Sequence, residues 1–322
     1  MSTPDAPRAA APAPDAAPRP TFVQWAEYAA LRTIATVLRP FGWRAASNVG
    51  ALVGGLGWRP FAIRADRVER TIRACFPEFT PARVREVARE SYRGLGRVAI
   101  ESIILSRATR EELLAAFADA RGLDVLERAY AQGKGVILVA GHLGNWELSA
   151  AYIAARGLPI DAIAMHMANP LSDAFFRRTR ERFGMRVLFA DESVRAIPKA
   201  LKDGRAVGFL SDQSAKGLAS TFVPFFGRPA RTPRGAAVFA LRNDLPMVFV
   251  AALRRPDGRY TAHFEEVPLV RTGDKEADID ATVVRYSQVL ERLVREHPEQ
   301  YFWQHRRWKG QPKDTPPHLR EP

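Results

Sequence analysis

Four short, largely apolar runs constrain this chain more than any other feature: GVILVA at 135–140, PIDAIAMHM at 159–167, RAVGFL at 205–210 and PMVFVAAL at 246–253. A run of five or six apolar residues without polar alternation cannot leave one face in water, so each reads as a strand buried on both faces. Helical stretches separate them, among them SDAFFRRTRERF and DESVRAIPKALK. Strand alternating with helix predicts an α/β fold with a largely parallel central sheet flanked by helices. The segment YTAHFEEVPLV alternates and adds a further strand, which makes the sheet mixed. From Asp278 to Glu296, Ile279, Val283, Tyr286, Leu290 and Leu293 form one helical stripe. Thr80 followed by Pro81 is a helix start, and the helical pattern is expected to continue to Ala118.

With 322 residues, 47% of them hydrophobic, the chain can fill a large core. The first twenty residues hold Pro and Ala but no large apolar side chain except Met1, so residues 1–20 are expected to form a loose tail without the apolar core of a signal peptide. Residues 21–60 are apolar and aromatic, with Trp25, Tyr28, Trp43 and Trp58, and are followed by an arginine-rich segment. The uncharged stretch from Ala45 to Trp58 is shorter than the roughly 18 residues of a spanning helix, so an interfacial, membrane-associated helical hairpin is expected. Residues 61–312 make the α/β domain and 313–322 a C-terminal tail. Forty-eight Lys and Arg against 35 Asp and Glu give a formal charge of +13, which favours anionic partners: a membrane face, an acidic substrate or nucleic acid. The single cysteine, Cys75, permits no internal disulfide and no cysteine-based zinc site, and reads as a buried small hydrophobe.

Chemistry concentrates in VILVAGHLGNWELSA, where the first buried run ends. His142 follows that strand between Gly141 and Gly144, with a helix opening at Asn145 or Trp146, and so sits in the usual ligand crevice of an α/β sheet. Glu147 follows five residues later. If the two glycines bend the chain, its carboxylate can hold one imidazole nitrogen while the other acts as general base. A structural, hydrogen-bonded histidine and a glutamate favoured by the helix dipole account for the same two residues. Ser149 lies outside any nucleophile elbow, and no H-E-x-x-H spacing supports zinc.

The motif GHLGNWE resembles the H-x4-acid motif of the glycerolipid and lipid A acyltransferase superfamily, and in this form resembles the bacterial lipid A late acyltransferases of lauroyl or myristoyl type. CFPE at 75–78, NPLSD at 169–173, VPFFGRPARTPRG at 223–235 and PEQYFWQHRRWK at 298–309 are similar to other blocks of that family, in the same order, over residues 22 to 312. Thr71 stands where many relatives have asparagine before the CFPE block, and the proline-rich leader has no counterpart. The resemblance implies transfer of a fatty acyl chain from an acyl-carrier-protein thioester to a hydroxyl of a lipid A precursor, at the cytoplasmic face of the inner membrane. His142 and Glu147 are then catalytic, without an acyl-enzyme, a metal or a cofactor. Asn145, Arg180 and Asp212 are expected at the substrate, Arg180 as a fork for phosphate or carboxylate and Asp212 as the group positioning Arg180 or the acceptor. The oxyanion is expected to meet backbone N–H groups between Gly144 and Trp146, or an arginine.

Two other readings stay open at this level. The acceptor can be another glycolipid or a lysophospholipid, and coenzyme A can replace the carrier protein. In a different class, Trp303, His305, Arg306, Arg307, Trp308 and Lys309 resemble a stacking and phosphate-binding surface for single-stranded nucleic acid, although no recognition module accompanies it. His166, His263, His297 and His318 are read as structural.

Overall fold

The computed structural model describes residues 20–190, 193–213 and 217–322, so the expected tail at 1–20 lies, but for Pro20, outside the described residues. The chain opens with four helices: α1 (Phe22–Leu38), α2 (Gly42–Trp58), α3 (Ala65–Cys75) and α4 (Pro81–Ile104). Thr21 and Thr80 cap α1 and α4, each accepting a hydrogen bond from a first-turn backbone N–H. Helix α4 ends at Leu105, well short of Ala118. Thr109 and Glu112 then form a reciprocal capping box that starts α5 (Arg110–Ala115), and the chain turns into the strand β1 (Phe117–Arg121). The expected continuous helix is thus broken by a second cap.

The remainder alternates as expected. Helix α6 (Leu123–Ala131) leads to β2 (Val136–Ala140), α7 (Trp146–Ala155), β3 (Ile160–Ala164), α8 (Pro170–Glu181), β4 (Arg186–Phe189), α9 (Ser193–Lys202) and β5 (Ala206–Leu210). A hairpin of β6 (Ser220–Phe225) and β7 (Arg228–Pro233) precedes α10 (Gly235–Asn243), β8 (Met247–Arg254), β9 (Tyr260–Glu266) and α11 (Lys275–Glu296). Strands β1, β4, β6 and β7 carry no long apolar run. The hairpin even contains Pro224, Pro229 and Pro233, which a two-stranded ribbon tolerates because each strand has a free edge.

The main sheet has seven strands in the order β1-β9-β8-β2-β5-β3-β4. Strands β8, β2, β5, β3 and β4 are mutually parallel, β9 is antiparallel to β8, and β1 is parallel to β9. Strand β2 lies inside the sheet, and its run is apolar throughout because both faces are covered. Ile137 and Val139 face a core that includes Val207, Phe249 and Leu290, whereas Val136 and Leu138 face one that includes Leu148, Ile153 and Val250.

Helix α2 lies against α4 at backbone contact. A Cβ added at Gly50 would stand 2.6 Å from Gly96 O, and one at Gly96 would stand 2.6 Å from Gly54 N. Three glycines on two helices therefore set how closely the layer approaches. Among the described residues, no helix is long and apolar enough to cross a membrane.

Candidate active site

Parallel register builds the site. Ala140 at the end of β2 is paired with Leu210 at the end of β5, and Ser211 N donates to Ala140 O at 2.9 Å. Two residues beyond each paired end stand His142 and Asp212, one strand spacing apart. The Asp212 carboxylate lies 2.6 Å from His142 Nδ1 through Oδ1, and its Oδ2 accepts the backbone N–H of His142 at 3.0 Å. Asp212 is buried, which by itself raises a carboxyl; the charge and hydrogen bonds of His142, with the charge of Arg307, outweigh burial and hold it down at about 2. An ionised carboxylate only accepts hydrogen bonds, so Nδ1 carries the proton and Nε2 is left with its lone pair.

Trp146 and Phe302 flank the imidazole at ring-centroid distances of 4.7 and 5.9 Å. The His142 side chain keeps 15% of its surface exposed, so the ring is held without being sealed.

Glu147 does not hold the imidazole. Its carboxylate receives both arms of the Arg180 guanidinium, Nε to Oε2 at 3.0 Å and Nη2 to Oε1 at 2.8 Å. The expected pairing of His142 with Glu147 is corrected to two pairs, His142 with Asp212 and Glu147 with Arg180. The reason is donor geometry: a guanidinium offers a carboxylate two parallel N–H groups and a permanent charge, an imidazole offers one. Arg180 is thereby committed to Glu147, and Asp212 to His142 rather than to Arg180.

Asn145 also differs from expectation. It is fully buried as the N-cap of α7, its Oδ1 accepting from Leu148 N at 3.0 Å and its Nδ2 donating to Glu101 Oε2 at 2.6 Å. Tyr260 donates its hydroxyl to the same Glu101 oxygen at 2.6 Å. Burial pushes the Glu101 carboxyl above its ordinary value, with Ser47, Tyr260 and Asn145 opposing. Asn145 anchors the start of α7 instead of facing substrate. The sign of Glu101 in the sequence is a lone carboxylate inside the apolar stretch VAIESIIL, a placement that burial penalises unless partners wait for it.

The turn bearing His142 is clamped from two sides. Gly144, at φ 63°, has a backbone too close to Ala252 O for any side chain. Its N–H donates to Gln300 O at 3.0 Å, Asn145 N donates to Ala252 O at 2.9 Å, and Phe302 N donates to His142 O at 3.0 Å. The terminal block thus serves as a brace under the histidine loop. Its tryptophans are not a stacking surface: Trp303 and Trp308 are buried, their indole N–H groups donating to Pro298 O and Phe225 O. Arg307 is buried too, over the Phe225 ring and bonded to Arg231 O and Thr232 Oγ1. The resemblance to a single-stranded nucleic-acid surface therefore fails on burial. His305 stands in the electrostatic range of both His142 and Asp212; burial pushes it below the ordinary imidazole value, with Asp212 opposing.

Beside Trp146 and Glu147 a narrow apolar slot of about 70 Å3 runs down the sheet, past Ala140, Leu210 and Ala164 to Gly208, Ile160 and Met185. Among the described residues, no group of His, Cys, Asp and Glu side chains assembles that could hold a metal ion.

The pair His142–Asp212 carries a stability prediction. Because the folded value of Asp212 lies below its ordinary 3.8, its contribution is complete above that value and disappears as pH falls through about 2. The size is on the order of 2 kcal/mol. In urea unfolding, the stability gap between the parent and Asp212→Asn should narrow between about pH 5 and pH 2. A gap that is constant over this window would refute the ionised pair.

Comparison with known proteins identifies the family. A model of the family described as bacterial lipid A biosynthesis acyltransferase matches residues 16–310. The chain is similar to a lipid A biosynthesis palmitoleoyltransferase of Escherichia coli, 28% identical over 271 residues that cover 82% of this chain and 85% of the relative. It is similar to a lauroyltransferase of the same pathway and organism, 27% identical with 84% and 87% covered. A myristoyltransferase of that organism is 24% identical with 87% and 84% covered. A family match over nearly the whole chain, with the motif histidine seated at the carboxyl edge of the sheet, shows that this chain belongs to the bacterial lipid A biosynthesis acyltransferase family.

Proposed function

We propose that the protein transfers a fatty acyl chain from an acyl-carrier-protein thioester to a hydroxyl of a lipid A precursor, at the cytoplasmic face of the inner membrane. The observation that carries the reading is the His142–Asp212 pair, with the imidazole against Trp146, a residue that lines the apolar slot. His142 Nε2 removes the proton from the acceptor hydroxyl as its oxygen attacks the thioester carbonyl, and Asp212 stabilises the imidazolium that forms. Collapse of the tetrahedral intermediate forms the ester and expels the carrier thiolate, which takes up the proton from His142. Of the expected oxyanion donors, the N–H groups of Gly144 and Asn145 already have partners. That leaves the Trp146 N–H at the first turn of α7, with Arg180 nearby.

The acyl chain enters the slot lined by Ala140, Ala162, Ala164 and Gly208. At about 70 Å3 the slot is well below the roughly 300–1,000 Å3 of ordinary ligand pockets, so the chain must part its walls. Gly208 lines the slot, and a Cβ there meets Asp161 O at 3.7 Å and Ile160 Cδ1 at 3.9 Å, which is ordinary contact. The Cβ of Gly208→Val therefore meets no clash and its branch narrows the slot, with circular dichroism as the fold control. The expected result is a shift toward shorter donors by about 10- to 100-fold in relative kcat/KM, read from product masses. An unchanged chain-length profile removes this slot from the reading.

Large exposed apolar side chains on α1 and α2, in the turn between them and in the following loop support the membrane placement: Phe22, Phe41, Leu52 and Phe61 are each more than 60% exposed. Inner positions such as Ala35, Ala46 and Ala51 pack against the body, which suits helices lying in the interface. The experiment that tests the whole reading offers purified enzyme a panel of carrier-protein and coenzyme A thioesters with a lipid A precursor and weighs the products. Absence of any acylated precursor from every donor would overturn it.

A further inference from the structure

Away from His142, the corner between α1 and α2, the end of α4 and the β8–β9 turn enclose a cleft of about 660 Å3. Its charged lining is Arg39, Arg44, Arg107 and Arg259 against Glu112 and Asp257. Both carboxylates are already engaged. Glu112 closes the capping box of α5 through Thr109 N, and Asp257 receives the Arg259 guanidinium at 3.1 Å. Among the described residues, three of these arginines lack a carboxylate. Arg107 donates to Thr36 Oγ1 at 3.3 Å, Arg44 donates to the Asp257 carbonyl, and the Arg39 side chain has no hydrogen bond or ion pair there. Trp43, also in the lining, holds a buried indole N–H without a protein partner. The cleft therefore offers unanswered donors and unbalanced positive charge in a concavity of ligand size. Val37 and Phe41, 55% and 66% exposed, stand next in sequence to Leu38 and Gly42 of its lining.

We propose that this cleft is a seat for the phosphate of a membrane amphiphile, whose acyl chains stay against Val37 and Phe41 while Arg39, Arg44 and Arg107 hold the headgroup. A concave cleft next to an exposed apolar turn suits a headgroup; an acidic protein helix needs a flat basic stripe instead. The seat also answers where a phosphorylated ligand finds cationic partners, since Arg180 is engaged by Glu147.

The test uses the full chain and monomeric short-chain lipids, followed by calorimetry. Dihexanoyl phosphatidic acid is expected to bind saturably at one equivalent, and dihexanoyl phosphatidylcholine at least tenfold more weakly. Arg39→Ala/Arg107→Ala is expected to weaken the phosphatidic acid by at least tenfold at an unchanged thermal midpoint. Arg39→Ala alone, which removes no side-chain hydrogen bond or ion pair among the described residues, should give a partial loss. Inorganic phosphate identifies the source: weaker binding than phosphatidic acid supports a lipid headgroup, whereas equal affinity overturns the lipid part of the proposal. Unsaturable binding, or affinity unmoved by the double variant, overturns the seat. So does a double variant that keeps phosphatidic acid and loses only an acidic carrier protein.

A second arm rests on the proposed acyl transfer. With phosphorylated and phosphatase-treated acceptors, a rise in KM confined to the phosphorylated form assigns the seat to the acceptor, and unchanged KM for both assigns it to bulk anionic lipid. Loss of all turnover in the parent enzyme would refute the acyl-transfer reading while leaving the binding result intact.

Discussion

Asp212→Asn is expected to lower turnover by about 10^4-fold while leaving the fold and substrate KM close to those of the parent. Asparagine matches the shape of the side chain and can still accept the His142 backbone N–H through its amide oxygen. Its NH2 group, however, donates to Nδ1 where the carboxylate accepted, which moves the ring proton to Nε2. The nitrogen facing the acceptor then has no lone pair for the proton. His142→Ala is expected to fall to a similar floor, and the double variant no further, because the two residues act as one unit. Steady-state kinetics with circular dichroism as a fold control measures all three. A folded Asp212→Asn enzyme with near-parent turnover, beside an inactive Glu147→Gln, would return the role of steadying the imidazole to Glu147.

The second large effect concerns stability. Gly96→Ala is expected to destabilise by about 2–3 kcal/mol or more, although in helix propensity alone Gly→Ala gains about 1 kcal/mol. The added methyl would lie 2.6 Å from Gly54 N and 2.7 Å from Gly54 Cα, both backbone atoms that cannot step aside without moving α2. Gly94, two residues earlier in the same helix, is the internal control, since a Cβ there meets only Glu299 O at 3.9 Å. Gly94→Ala should be neutral or stabilising. Urea midpoints, with limited proteolysis between α1 and α2, distinguish local detachment from global loss. If both alanines stabilise alike, the close approach of α2 to α4 is wrong.

These two sites show how unevenly sequence and structure share the information. The strands β2 and β8 were legible because burial on both faces leaves a run of apolar residues that no other local structure demands; β3 and β5 were read the same way, although each is buried only over its first two residues and its carboxyl end is partly open beside the slot. His142 was legible for a related reason: a polar residue and two glycines directly after such a run mark a ligand crevice. Strands β1 and β4 were not, because FADAR and RVLF are too short and too mixed to show a period and are strands only by virtue of their neighbours.

Pairing was the least legible. Glu147 lies five residues from His142 and invited a local dyad, yet the imidazole is held by Asp212 at a separation of 70 residues. Both Asp212 and Arg180 were named as site residues, but their partners depended on distances that chain separation does not encode. The tryptophans of the terminal block show the same limit. Trp303 and Trp308 in a basic segment read as an open stacking surface until packing placed them inside, while Gln300 and Phe302 of the same block brace the histidine loop.

What the chain determined alone is local: which segments must be buried, where a helix starts at Thr80, and which loop carries the histidine. Those follow from short-range hydrogen bonding and from the free energy of removing apolar surface from water, both read within a few residues. What tertiary structure decided is which charge meets which. The register of β2 on β5 sets Asp212 opposite His142, and the placing of α8 brings Arg180 to Glu147. Electrostatic pairing depends on separation in space, and only the assembled sheet turns distant positions into neighbours.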